Sequence, residues 1–207
     1  MSDPTLGEDE INRLHREKMQ RRHAARKKVL ATKTEERGLL IVHTGTGKGK
    51  STAAFGMVMR CIGHGMRVGI VQFVKGVWGT GERAVLDRFP ELVTCRAMGE
   101  GFTWETRDRA RDIAAAQAAW ETAKAMIANP ANSLVLLDEL NIVLRYGYLP
   151  LDEVMAALKA KPRDLHIVVT GRNAPAELIE AADLVTEMTL VKHPFRAGVK
   201  AQAGIEF

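Results

Sequence analysis

Nine consecutive residues, Thr44-Gly45-Thr46-Gly47-Lys48-Gly49-Lys50-Ser51-Thr52, concentrate the chemistry of this chain. Glycines at this density let backbone N–H groups converge on phosphate oxygens with no Cβ in the way. A helix opening at Ser51 would add orphan N–H donors and a partial positive charge. Lys50 would neutralise phosphate oxygens, and the Ser51 hydroxyl would ligate Mg²⁺. Against the pattern G-x-x-x-x-G-K-[ST] there is one departure: the first glycine position holds Thr44, with Gly45 beside it. Gly47 and Lys48 are additions to a generic loop. A chance glycine-rich turn does not explain why an apolar strand, a Gly-Lys-Ser run and a helical stretch follow in that order.

Further along, LVLLDELN places Asp138 and Glu139 at the end of a buried strand. Acids there reach the carboxyl edge of a parallel sheet, where open α/β folds bind ligands. One carboxylate should meet Mg²⁺, directly or through water, and Asp138 could equally serve as a helix N-cap. If Glu139 orients a water, the chain is a nucleotide hydrolase; if it holds the metal, it need not be. Three other loops fall at the same edge. They are Gln72-Phe73-Val74-Lys75-Gly76 with Trp78, Gly79, Gly81 and Glu82 after it; Met98-Gly99-Glu100-Gly101-Phe102-Thr103-Trp104; and Thr170-Gly171-Arg172-Asn173. With aromatics only 5% of the chain, Phe102 and Trp104 in a glycine-flanked loop suggest a flat apolar partner, unless the pair tucks into the core. Arg172 at a strand end could contact phosphate or simply be a surface arginine.

The elements that must position these loops alternate along the chain. Apolar strands are read at 39–42, 67–74, 92–96, 134–137, 165–170 and 184–190. Helices are read at 51–64, 82–89, 105–129, 151–161 and 174–182, several of them stopped by a proline. From Val191 onward no period is seen. Strands that are apolar throughout, separated by helices, predict an open, mostly parallel α/β sheet with helices on both faces.

The chain has 207 residues, 46% apolar and 27% charged, as in an ordinary globular domain. No apolar run is long enough to span a bilayer, no secretory leader is read, and no membrane partner is expected. Cys61 and Cys95 lack metal-ligand spacing and suit a reducing cytoplasm. The net charge of +5 is unevenly held: residues 11–33 carry +8 and residues 1–10 carry −4, leaving +1 for residues 34–207. Residues 1–37 therefore read as a basic N-terminal helical arm, either a solvated helix or a lid answering an anionic ligand. The remainder, 38–207, reads as one P-loop nucleotide-binding domain. Because the body is nearly neutral, no nucleic-acid partner is expected, although the +8 held by residues 11–33 leaves a nucleotide-dependent nucleic-acid binder as one alternative.

TGTGKGKST, QFVKG, GFTW, LDELN and TGRN in this order resemble the P-loop ATP:corrinoid adenosyltransferases, the cob(I)yrinic acid a,c-diamide or cob(I)alamin adenosyltransferases. The resemblance spans about residues 8–207 and includes the tail KAQAGIEF. It implies a P-loop NTPase-like fold and an alkyl transfer. A Co(I) corrinoid would attack C5′ of ATP and expel triphosphate, in adenosylcobalamin biosynthesis and corrinoid salvage. By motif match, Gly45, Thr46, Gly47, Lys48, Gly49, Lys50, Ser51 and Thr52 would bind ATP, with Arg172 on phosphate. Thr46 would face the adenosine, where some members carry Asn. Ser51 and Glu139 would hold Mg²⁺, or Mn²⁺ as another oxygen-liganded cation. Phe102 and Trp104 would lie under the corrin ring and exclude a lower axial ligand, which makes Co(II) easier to reduce. The resemblance further implies a flavin or flavoprotein reductant, a homodimer, and an arm that covers an active site. A P-loop ATPase of another kind is the alternative.

Overall fold

The computed structural model describes residues 7–74, 81–97 and 108–206. The chain divides into two compact units, Met1–Glu36 and Arg37–Phe207. The first is a single helix, α1 (Glu8–Ala31), in which no residue is buried. Its acidic first turn and basic last turn suit the helix dipole. Arg13 pairs with Glu10 at 2.6 Å and with Glu17 at 3.1 Å, the spacings that meet on a helix surface.

The second unit is built on six parallel strands: β1 (Leu40–Thr44), β2 (Arg67–Gln72), β3 (Val93–Ala97), β4 (Asn132–Asp138), β5 (His166–Thr170) and β6 (Leu184–Glu187). They stand in the order β3-β2-β4-β5-β1-β6. Alternate residues along the inner strands β1, β2, β4 and β5 enter separate cores. Val42, Val71, Leu137 and Val169 pack with Trp120, Leu140 and Leu158 on one face. Ile41, Ile70, Leu136 and Val168 pack with Phe55, Val58 and Leu86 on the other. Both faces are covered, so the strands must be apolar throughout rather than alternating.

The helices follow from local signals. Between β1 and β2 lies α2 (Lys50–Gly63), and between β2 and β3 lies α3 (Gly81–Leu86). Next comes α4 (Arg109–Ala128), capped by Asp108, which accepts the Arg111 N–H at 3.2 Å. Its buried Ala116, Ala119 and Ala123 let the helix lie close to the sheet. Trp120, also buried there, donates its indole N–H to Glu153 at 2.9 Å. Two more helices, α5 (Leu140–Arg145) and α6 (Leu151–Lys159), lie between β4 and β5, and α7 (Ala176–Ala181) leads to β6.

The doubly covered parallel sheet is as read from the sequence. Besides bounds that shift by a few residues, such as the helix read at 82–89 that spans Gly81–Leu86 and the strand read at 67–74 that ends at Gln72, three features differ. Helix α5 was not anticipated, because six residues are too few to show a helical period. The last strand ends at Glu187 instead of residue 190 and is exposed throughout despite Leu184 and Val185, because it is the sheet edge. The tail, expected to be irregular, carries a 3₁₀ turn at Pro194–Ala197.

Strand register aligns the functional ends. Gln72 is opposite Asp138, and His43 is opposite Thr170. Leu137 pairs Val169, so Asp138 and Thr170 are next in line on neighbouring strands. One polar row therefore closes the sheet at its carboxyl edge, above the apolar layers.

Candidate functional site

The loop between β1 and α2 is wedged against the chain that leaves β6. Gly45 has φ +94°, and a Cβ there would come within 2.4 Å of the Met188 carbonyl oxygen. A Cβ on Gly47 would come within 2.7 Å of the Thr189 carbonyl oxygen, and the Gly47 N–H donates to Met188 O at 2.6 Å. Neither position admits a side chain without moving backbone. The requirement for glycine here comes from the neighbouring segment as well as from any phosphate. One loop amide is also already committed, to Met188.

Lys50 folds back over this loop. Its ammonium donates to the Gly45 carbonyl at 3.0 Å and to the Gly47 carbonyl. Burial lowers its pKa from the usual lysine value, and the nearby charge of Arg172 lowers it further. Glu139 acts in the opposite sense. Lys48 is exposed and forms an ion pair with Glu206 in the C-terminal tail.

Asp138 is the hub of the polar row. Fully buried, it accepts hydrogen bonds from Ser51 Oγ at 2.7 Å, Thr170 Oγ1 at 2.8 Å and Gln72 Nε2 at 3.0 Å. The carboxylate thus ties α2 to the ends of β2, β4 and β5. Buried charges persist when hydrogen-bonded in this way. Thr170 Oγ1 also accepts the Glu139 N–H at 2.9 Å. Asp138 is not a helix cap: that position falls to Glu139, whose side chain makes no cap bond. Glu139 holds φ 63°, a left-handed conformation that costs a non-glycine residue about 1 kcal/mol or more. Strain of this kind persists at functional sites because the surroundings impose it.

These groups border a cavity of about 650 Å³, within the range for nucleotide- and cofactor-sized ligands. Gly47, Lys48, Gly49, Lys50, Ser51 and Thr52 form one side. Glu139, Thr170, Gly171 and Arg172 form another, and Phe55, Met59, Val85 and Ile142 supply an apolar wall. Gly45 and Thr46 are outside its lining, with Thr46 exposed to solvent. Phe102 and Trp104, like residues 75–80, lie outside the described residues.

Two features of the site were not found by sequence reasoning. The sequence points to Ser51 and Glu139 for the metal; the role of Asp138 as a shared acceptor depends on strand register, which spacing does not reveal. The tail residues Gly204, Ile205 and Glu206 border the cavity although no periodicity marks them. Only the resemblance at KAQAGIEF drew that segment in.

A parallel α/β sheet with a phosphate-type loop after its first strand, a lysine and hydroxyl opening the next helix, and a carboxylate pair at the end of the strand next but one defines a P-loop NTPase-like fold. The family model for ATP:corrinoid adenosyltransferases BtuR/CobO/CobP matches residues 36–207. The chain is 58% identical over 198 residues to a corrinoid adenosyltransferase of Pseudomonas aeruginosa, covering 96% of this chain and 98% of that one. It is 49% identical over 178 residues to one of Salmonella typhimurium, covering 86% and 90%, and 47% identical over 191 residues to one of Escherichia coli, covering 91% and 96%. The chain belongs to the ATP:corrinoid adenosyltransferase family.

Proposed function

We propose that this enzyme transfers the 5′-deoxyadenosyl group of ATP to the Co(I) centre of a corrinoid and releases triphosphate. The observation that carries the reading is the cavity joining the Gly47–Thr52 loop to Glu139 and Arg172, in a chain of this family. The cobalt electron pair forms the Co–C5′ bond. The C5′–O bond breaks with its pair on the triphosphate, and cobalt becomes formally Co(III). No protein nucleophile is required, because the corrinoid carries the hard chemistry.

The protein's task is to hold the leaving group. Lys50, Lys48 and loop N–H groups would stabilise charge on the triphosphate, and Arg172 would add to it. Thr46 would meet the adenosine. The Ser51 hydroxyl and the Glu139 carboxylate, which both border the cavity, would offer oxygen donors suited to Mg²⁺ or Mn²⁺, with Asp138 holding the Ser51 hydroxyl from behind. Such an ion, shared with phosphate oxygens, would supply charge neutralisation as the C–O bond breaks. Phe102 and Trp104 would cover the lower face of the corrin and offer no lone pair to cobalt. A flavin or flavoprotein would reduce Co(II), the arm of residues 1–37 would act as a lid, and the enzyme would work as a cytoplasmic homodimer. No helix among the described residues is long and apolar enough to cross a membrane.

The test is an anaerobic assay with ATP, Mg²⁺ and chemically reduced corrinoid. Light-sensitive alkylcobalt and equimolar triphosphate are expected. Orthophosphate without a change in the corrinoid spectrum would make the chain a hydrolase instead. The Trp104→Ala variant is expected to lose activity from Co(II) starting material far more than from pre-reduced Co(I). Equal losses would reduce Trp104 to packing.

A further inference from the structure

Each lysine of the phosphate loop has a partner within the chain itself. Lys50 is held by loop carbonyls, and Lys48 by a carboxylate from the far end of the chain. Glu206 is well covered, its side chain only 19% exposed, whereas Lys48 is half exposed. The carboxylate is presented by a built turn. The Ile205 and Glu206 N–H groups both donate to Gln202 O, at 3.1 and 2.9 Å, and Gly204 takes φ +79°. Glu206 faces the same cavity as Lys48, Lys50 and Arg172. A carboxylate and a phosphate oxygen make the same demand on an ammonium, so one Lys48 cannot serve both fully.

We propose that Glu206 is a resident stand-in for phosphate on Lys48, displaced when nucleotide enters and returned when triphosphate leaves, so that it sets how tightly the loop holds its anionic ligand. This rests on the reading of the loop as the triphosphate site.

The reaction explains why such a competitor is useful. Breaking C5′–O leaves one more anionic oxygen on the triphosphate than it bore within ATP. A loop built only of cations would therefore hold product more tightly than substrate. By offering Lys48 an alternative partner within the same chain, at a high effective concentration, Glu206 lowers the loop's hold on substrate and product alike and so keeps product release from becoming slow. It acts through Lys48, as a positioning residue.

The probe is inorganic triphosphate with Mg²⁺, titrated calorimetrically into the full-length wild type, Glu206→Gln, Lys48→Gln and the double variant. Glu206→Gln is expected to tighten binding by about two- to fivefold, the scale of one partly exposed ion pair. In the Lys48→Gln background the same change is expected to do nothing, which a purely structural role of the tail would not produce. Amide hydrogen exchange at residues 202–206 should rise when triphosphate binds. Weaker binding in Glu206→Gln, or unchanged exchange in the tail while triphosphate binds, overturns the proposal and makes Glu206 a fixed wall of the site. Failure of the wild type to bind triphosphate, or binding indifferent to Lys50→Ala, overturns the phosphate-loop reading itself and this proposal with it.

Discussion

At the scale of single residues, Lys50 stands in two competing environments. Its ammonium is partly buried and close to Arg172, which together hold its pKa below that of an ordinary lysine. Bound triphosphate would favour the charged form and pull the value back up. Nucleotide binding should therefore take up protons at alkaline pH, and affinity should fall as pH rises through the depressed value of the free protein. Calorimetry in buffers of different ionisation heat would measure the uptake. Lys50→Ala should weaken MgATP binding by about ten- to a hundredfold, the worth of a charge-assisted hydrogen bond, and remove the pH dependence. Wild-type affinity that stays flat to strongly alkaline pH would count against Lys50 as the phosphate cation. The loop that holds Lys50 was legible because its glycines, lysines and serine are consecutive in sequence, even though the space that bars a Cβ at Gly45 and Gly47 is set by Met188 and Thr189. The Asp138 hub was less legible, since Ser51, Gln72, Asp138 and Thr170 meet only through the register of separate strands.

At the scale of elements, the strands were readable because burial on both faces leaves no polar alternation to confuse the pattern. Their order was not, since nothing local to β1 says that it lies between β5 and β6. One side chain helps fix that placement. Asp183, just before β6, accepts the Leu40 N–H at 2.8 Å and a hydrogen bond from Arg37 at 2.6 Å. Its own N–H donates to Leu40 O at 2.8 Å, so the two segments exchange hydrogen bonds at the start of β1. The Arg37 hydrogen bond holds the Asp183 carboxyl below its ordinary pKa, more strongly than burial raises it. A depressed carboxylate stabilises the fold at pH above its unfolded value, and that contribution is lost as pH falls through the folded value. Asp183→Asn should cost about 1 kcal/mol at pH 7, a modest figure because Arg37 is partly in solvent. Urea titrations should show the wild type and the variant converging in acid. A gap that persists at pH 2 would mean that shape, not charge, is what Asp183 supplies.

At the scale of the whole molecule, charge and burial are distributed oppositely. Residues 11–33 hold +8, yet no residue of α1 is buried, while the unit from Arg37 onward contains both hydrophobic cores and the cavity. A 24-residue helix with no buried face contributes little to the stability of a neighbouring core. Its sequence shows the same thing: Ile11, Leu14 and Met19 are too few for a broad apolar stripe, and each is exposed. Deleting residues 1–36 should therefore leave the thermal midpoint of the remaining chain within about 2 °C, because surface changes are usually worth under 0.5 kcal/mol in a domain of this size. MgATP affinity should be retained within about twofold on the same grounds. Turnover with corrinoid should fall, because the proposed lid is gone. A truncated chain that unfolds many degrees earlier would show that α1 is part of the core structure. One that binds nucleotide normally and turns over corrinoid at the full rate would leave the arm without a catalytic role, and the basic run at residues 11–33 would then need another anionic partner.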